Sequence, residues 1–331
     1  MQNQTFKAIV VTEQNASYTA NMQERLIDDL PGHELLVQVR YSSLNYKDAL
    51  SISGNKSVTR SYPHTPGIDA AGVVAEDKSG AFEAGDQVIV TGYDLGMNTD
   101  GGYAEYIRVP AEWAAPLPAG LSLQESMMLG TAGLTAAQSI HALVEKLSPE
   151  DNEILVTGAT GGVGSLAVSM LAKLGFRVCA LTGKASAAGY LQSLGAASVI
   201  DRHTFINENS RPMSKPHWAG VIDTVGGDVL ASAIKSTRPL GVVTCCGMAG
   251  SPHLSLSVFP FILRGVSLIG IDSQSCPMPL RQLLWRKMAN EWKPTAFATL
   301  VKRISLADIP AAVKQMLAGQ HQGRMLVEVS G

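Results

Sequence analysis

Hydrophobic positions change their period along this chain. In the first third they come in short runs cut by Gly, Pro and Asp. Lys7–Val11 and Leu35–Tyr41 are strand-like, as are Gly67–Glu76 and Gln87–Thr91. A further strand opens at Gly101-Gly102-Tyr103 and runs to Val109. Many short strands joined by tight turns predict a compact β-barrel rather than a parallel sheet. From about Glu125 the pattern alternates between helix and strand. Glu125–Lys146 reads as helix with a glycine break at Gly130–Gly133. Strands are expected at Glu153–Thr157, Arg177–Thr182, Ser198–Ile200, Ala219–Thr224, Gly241–Cys246 and Ser267–Ile271. Helices are expected at Gly162–Leu174, with Val163, Leu166, Ala167, Met170, Leu171 and Leu174 on one face, and at Ala185–Leu194. That alternation predicts a doubly wound α/β sheet. Helices at Pro279–Trp292 and Ser305–Ala318 and a strand at Met325–Val329 close the chain.

Composition narrows the class. A length of 331 residues suits two cores. With 46% hydrophobic and 16% charged residues the chain is a packed globule, not a disordered one. A net charge of −2 gives no electrostatic reason to expect nucleic acid or an anionic membrane surface as a partner. No apolar run approaches the ~20 residues of a membrane helix. Met1–Lys7 lacks a basic stretch followed by an apolar one, so no leader is read there and the cytoplasm is the expected compartment. Cys179, Cys245, Cys246 and Cys276 have no metal-ligand spacing and read as reduced, buried thiols.

The strongest chemical signal is Ile154-Leu155-Val156-Thr157-Gly158-Ala159-Thr160-Gly161-Gly162-Val163-Gly164. A buried strand runs through a glycine-rich turn into a helix. Such a turn lets backbone approach a pyrophosphate, and the helix N-terminus supplies unpaired N–H groups. Thr160, Gly161, Gly162 and Val163 are therefore candidate cofactor contacts. The next strand selects the nucleotide. NAD enzymes usually place Asp or Glu about 20 residues on, against the ribose hydroxyl. Here the strand ends Thr182-Gly183-Lys184, no carboxylate lies between Leu181 and Ala197, and Arg202 follows the next strand. Cations without an acid favour a 2′-phosphate, so NADPH is expected.

Pro66-Gly67-Ile68-Asp69-Ala70-Ala71-Gly72, Ala84-Gly85-Asp86-Gln87-Val88, Gly102-Tyr103-Ala104-Glu105-Tyr106 and Gly130-Thr131-Ala132-Gly133-Leu134-Thr135-Ala136, together with the glycine turn, resemble the medium-chain dehydrogenase/reductase family. The resemblance implies a GroES-like β-barrel catalytic domain plus a doubly wound Rossmann domain. The expected division is 1–124, completed by 273–331, for the catalytic domain and 125–272 for the NADPH-binding domain. In that family the catalytic zinc positions correspond to Asn45, Ile68 and Thr131, which lack the usual Cys and His ligands. The chain therefore resembles the zinc-free branch, and no metal is expected.

Within that branch, Ser42-Ser43-Leu44-Asn45-Tyr46-Lys47-Asp48-Ala49-Leu50, Ile222-Asp223-Thr224-Val225-Gly226 and Pro260–Val266 are similar to the acrylyl-CoA reductase group, some of whose members are labelled quinone oxidoreductases. The resemblance implies NADPH contacts from Tyr46, Thr160–Val163, Thr182, Gly183, Lys184, Arg202, Met248, Ile262 and Ser273. It also implies NADPH-dependent reduction of a 2-enoyl-CoA, acrylyl-CoA to propionyl-CoA first, in a homodimer; the edge strand at Ser267–Ile271 could pair across a two-fold. Tyr46 is expected to donate a hydrogen bond near the reacting carbonyl or to supply the proton, Asn45 to orient substrate or cofactor, and Asp69 to hold the loop. Lys56, Arg60, Arg281 and Arg286 are candidates for the CoA phosphates. His64 and His141 read as solvated or capped side chains rather than catalytic ones. The alternatives are an NADPH:quinone or general enone reductase and a non-catalytic NADPH-binding sensor.

Overall fold

A computed structural model describes residues 4–151, 153–295 and 297–330. Met1–Asn3, the start of the segment read for a leader, lie outside the described residues. The chain divides into two compact units, 1–131 with 274–289 and 301–331, and 132–273 with 290–300. The changeovers fall at 131/132 and 273/274, where the sequence reading put 124/125 and 272/273, and 290–300 group with the second unit.

The first unit opens with an antiparallel ribbon, β1 (Thr5–Gln14) and β2 (Ser17–Leu26), paired from Thr5↔Leu26 to Gln14↔Ser17. Next come β3 (Leu35–Leu44), helix α1 (Tyr46–Ile52), β4 (Asp69–Asp77), β5 (Gln87–Thr91), β6 (Tyr106–Val109), β7 (Ala114–Pro116) and α2 (Leu123–Val144), which belongs to the second unit from Ala132 on. Inside α2 the backbone at Gly130 leaves the helical region, at φ 55° and ψ −156°. This is the glycine break seen in the sequence. Alternate residues of β3, β4 and β5 bury Val37, Val39, Ala70, Val88 and Val90 in one core with Ile107 and Val109.

The second unit is a six-stranded parallel sheet. Its strands are β8 (Glu153–Val156), β9 (Arg177–Thr182), β10 (Ser198–Asp201), β11 (Trp218–Asp223), β12 (Thr237–Cys245) and β13 (Ser267–Gly270). They lie in the order β10-β9-β8-β11-β12-β13, so the order reverses between β8 and β11. Helices α3 (Gly162–Lys173), α4 (Ala188–Ser193), α5 (Arg202–Glu208), α6 (Gly227–Lys235) and α7 (Phe259–Arg264) connect the strands. Leu155, Val221 and Val243 are fully buried, as expected for strands covered on both faces.

The chain then returns to the first unit through α8 (Met278–Ala289), adds α9 (Phe297–Leu300) to the second, and ends in β14 (Val301–Ser305), α10 (Ile309–Leu317) and β15 (Arg324–Glu328). In the first unit the order is β14-β15-β3-β4-β5-β7, with β6 also on β3. β15 is antiparallel to β3, from Met325↔Leu44 to Glu328↔Tyr41. The last strand thus completes a sheet begun almost 300 residues earlier. Among the described residues no helix is long and apolar enough to cross a membrane.

Candidate active site

The candidate cofactor residues of the second unit lie at the carboxyl ends of β8, β9 and β10. After β8 the chain turns through Gly158, at φ +56°, where a Cβ would fall 2.3 Å from Thr224 Oγ1. A Cβ on Gly164 would come 2.4 Å from the Gly158 carbonyl. These two glycines let strand and helix approach closely. Gly161 is the N-cap of α3, no side chain caps that helix, and its first turn holds no acid. The leading N–H groups of α3 and its dipole therefore suit a pyrophosphate. Behind the turn, Thr157 Oγ1 donates to Asp223 Oδ1 at 2.7 Å, and the N–H of Gly226 donates to Asp223 Oδ2 at 2.8 Å. This clamp fixes the ends of β8 and β11, the point where strand order reverses and α/β sheets take their ligands.

At the end of β9 the Lys184 N–H donates to Thr182 Oγ1 at 3.1 Å. The Arg202 guanidinium lies against Gly183, whose Cβ would come 3.0 Å from Arg202 Cζ. Asp201 stands across from Thr182, but its carboxylate accepts the N–H groups of His203 and Thr204, each at 2.9 Å. It caps α5, and those bonds hold its pKa below the usual range. Asp201 is thus turned to its own helix. These residues fit a dinucleotide carrying a 2′-phosphate. Met248 follows β12 and Ser273 follows β13, at the same end of the sheet, and Ser273 Oγ accepts from Thr135 Oγ1 at 2.7 Å. Ile262 is not gathered with them. It stands 69% exposed on α7, which leads into the start of β13.

Asn45, Tyr46 and Asp69 belong to the first unit. Tyr46 opens α1 and is 53% exposed, whereas Asn45 and Asp69 are buried. Asp69 is the hub of a hydrogen-bond network. Its Oδ2 accepts from Ser43 Oγ at 2.5 Å and Asn45 Nδ2 at 2.7 Å. Its Oδ1 accepts from Thr131 Oγ1 at 2.5 Å, and the Thr131 N–H reaches both oxygens. Asp48 accepts from the Asn45 N–H and the Ile68 N–H, both at 2.8 Å. Burial first, and the Asp69 charge second, push Asp48 up to about 7. The three zinc positions are therefore an amide, an alkyl group and a hydroxyl, two of them bonded to Asp69. That donor set does not fit zinc.

Other expectations resolve locally. Arg281 is 1% exposed and donates Nη1 to the Thr91 carbonyl at 2.6 Å, so it does not meet CoA phosphates. Lys56 pairs with Glu13 at 2.6 Å. His64 is buried, which lowers its pKa, and His141 lies 3.7 Å from Glu145. The structure adds Arg324, Ser43, Asp48 and Thr157, which sequence reasoning had not assigned a role. For Arg324 the available signal was a lone cation abutting the apolar run Met325–Val327.

A Rossmann unit joined to a GroES-like unit defines a nucleotide-dependent dehydrogenase or reductase. Residues 31–119 match the alcohol dehydrogenase GroES-like domain and residues 162–290 match the zinc-binding dehydrogenase family. "Putative quinone oxidoreductase YhfP" of Bacillus subtilis (strain 168) is 44% identical over 98% of this chain and 99% of its own. Its crystal structure, with NAD bound, superposes with a TM-score of 0.96. "Probable acrylyl-CoA reductase AcuI" of Escherichia coli (strain K12) is 42% identical over 98% of this chain and 100% of its own. The yhdH oxidoreductase of Salmonella enterica, in complex with NADP, is 42% identical over 98% of this chain and 100% of its own, with a TM-score of 0.95. The chain belongs to the medium-chain dehydrogenase/reductase family, in the group that holds AcuI and YhfP, and is an oxidoreductase.

Proposed function

We propose that this protein reduces the C=C bond of a 2-enoyl-CoA with NADPH, acrylyl-CoA to propionyl-CoA being the first substrate to test. The observation that carries the cofactor choice is the Arg202 guanidinium against Gly183, beside Lys184, with the Asp201 carboxylate turned into α5. Full-length similarity to a protein named probable acrylyl-CoA reductase supports the substrate class.

Bound NADPH supplies the hydride, which goes to the substrate β-carbon; a proton must reach the α-carbon. The chain's own part is to hold the cofactor and manage charge. Thr160, Gly161, Gly162 and Val163 hold the pyrophosphate; Thr182, Gly183, Lys184 and Arg202 hold the adenosine phosphate. Met248 and Ser273 complete the cofactor contacts. Tyr46 donates its phenol to the thioester oxygen, where negative charge builds, and is the candidate proton source. Asn45 and Asp69 act behind it, since their polar atoms are bonded within the protein.

An NADPH:quinone or enone reductase is the second reading, favoured by the similarity to YhfP. NADPH consumption with acrylyl-CoA and with a simple quinone, NADH serving as cofactor control, decides between them. Preferential turnover of the CoA ester supports the first reading; preferential turnover of the quinone replaces it with the second.

We also propose a homodimer through the second unit. β13 is an edge strand. Leu240, Ile262, Leu263 and Leu268 are apolar and 38–76% exposed on or near it. A two-fold pairing would cover them. Sedimentation of wild type and Leu268→Lys tests this, a monomeric wild type overturning it.

A further inference from the structure

Arg324 is the first residue of β15 and is only 2% exposed. Its Nη1 donates to Asn45 Oδ1 at 3.1 Å and to the Leu44 carbonyl at 3.2 Å, and its Nε donates to the Met128 carbonyl at 3.2 Å. Its Nη2 has no partner. Desolvation lowers its pKa, while Asp69 is the largest influence raising it. A buried guanidinium is a poor device for stability, because its desolvation offsets what its bonds return. What it orients is the better account of its place.

That group is the amide of Asn45. Asp69 can only accept, so it takes the Nδ2 end; Arg324 can only donate, so it takes the Oδ1 end. The two charges leave one orientation. Asn45 is also the N-cap of α1, with its N–H on Asp48. The next residue is Tyr46, which has no buried side-chain anchor of its own. Gly130 belongs to the same device. Its missing Cβ would fall 2.5 Å from Asp69 Oδ2, 2.6 Å from Ser43 Oγ and 2.8 Å from Arg324 Nη2. The break in α2 is what lets the ionic cluster close.

We propose that Arg324 is a positioning residue for the reaction: by fixing the Asn45 amide between itself and Asp69, it sets the start of α1 and hence the direction of the Tyr46 phenol. The inference rests on the reading of Tyr46 given above.

The test compares wild type, Arg324→Met, Arg324→Lys, Tyr46→Phe and the double variant Tyr46→Phe/Arg324→Met, with NADPH and either acrylyl-CoA or a quinone. Arg324→Met is expected to lower kcat at least tenfold while KM for NADPH moves less than threefold. Arg324→Lys should recover part of kcat. Tyr46→Phe should cost several-fold less in the Arg324→Met background than in wild type, because the phenol is already misdirected. An unchanged kcat in Arg324→Met, or equal Tyr46→Phe losses in both backgrounds, overturns the inference. If Arg324→Met does not fold, Arg324→Lys and Asn45→Ala carry the same cycle. A substrate-free readout separates the two readings. The aromatic 13C–1H signal of Tyr46, assigned by its loss in Tyr46→Phe, should shift in Arg324→Met or Arg324→Lys. Wild type inactive on both substrates would remove the proposed function; a Tyr46 signal unmoved by either arginine variant would remove the positioning role.

Discussion

The Arg202 guanidinium packs on the α-carbon of Gly183, so close that a Cβ at 183 would lie 3.0 Å from both Cζ and Nη2. One residue leaves β9 and the other opens α5, and their contact puts a cation where the strand hands over to the loop. A charge-assisted bond to phosphate is worth about 1.5–3 kcal/mol. Arg202→Ala is therefore expected to raise the NADPH dissociation constant roughly ten- to a hundredfold and leave NADH binding nearly unchanged. Titration of nicotinamide fluorescence measures both. Equal weakening of the two nucleotides would mean that Arg202 does not read the phosphate.

Gly183→Val tests the same contact from the other side. Its added methyls must displace the guanidinium without removing it. Weaker NADPH binding with kcat retained at saturation is expected from steady-state kinetics.

Gly130 sits at φ 55°, ψ −156°, against three polar side-chain atoms at 2.5–2.8 Å from any Cβ. Gly130→Ala should destabilise the first unit by roughly 2 kcal/mol or more, since backbone strain and a steric clash add. Chemical denaturation followed by tryptophan fluorescence checks this. A neutral result would show that the Asp69–Arg324 cluster can open without cost.

Asp48 gives a pH signature. Its folded-state pKa is raised from 3.8 to about 7, by burial first and Asp69 second. The folded protein therefore holds this proton more tightly than the unfolded chain. The stability contributed is present in full below the unfolded value and is lost as pH rises through about 7. At roughly 1.4 kcal/mol per unit, the change amounts to a few kcal/mol. Asp48→Asn removes the titration, so its stability relative to wild type should rise between about pH 4 and 8. Denaturant midpoints of the two proteins across that range should diverge in that direction; parallel curves would deny the shifted carboxyl.

Tyr46 is half exposed and opens a helix, so Tyr46→Phe should not alter the unfolding midpoint. A general acid contributes about 10²–10⁴-fold. Loss of kcat by tenfold or more, with NADPH binding unchanged, is the expected outcome; full retention would leave Tyr46 as a wall of the pocket.

Much was legible along the chain because it is local. Arg177–Thr182 is a strand as read, and Gly162–Leu174 differs from α3 by one residue, since a strand buried on both faces and a one-faced helix print their periods directly. The β8–α3 turn could be read because glycine spacing is itself the geometry. β2 could not: Ser17–Leu26 is largely exposed and polar, held by β1 and not by a buried face. α1 was also missed, because its seven residues carry no full apolar stripe.

The order of residues was enough to read the parallel sheet, the cofactor turn, the missing acid after β9 and the lack of zinc-type ligands at Asn45, Ile68 and Thr131. Each is a property of one segment. Packing in three dimensions settled that Arg202 meets Gly183, that Asp69 gathers Ser43, Asn45 and Thr131, and that Arg324 reaches Asn45 from 279 residues away. The Asp69 and Arg324 contacts join segments between 24 and 279 residues apart. A hydrogen bond between β15 and the end of β3 leaves no period or spacing in the sequence to reveal it.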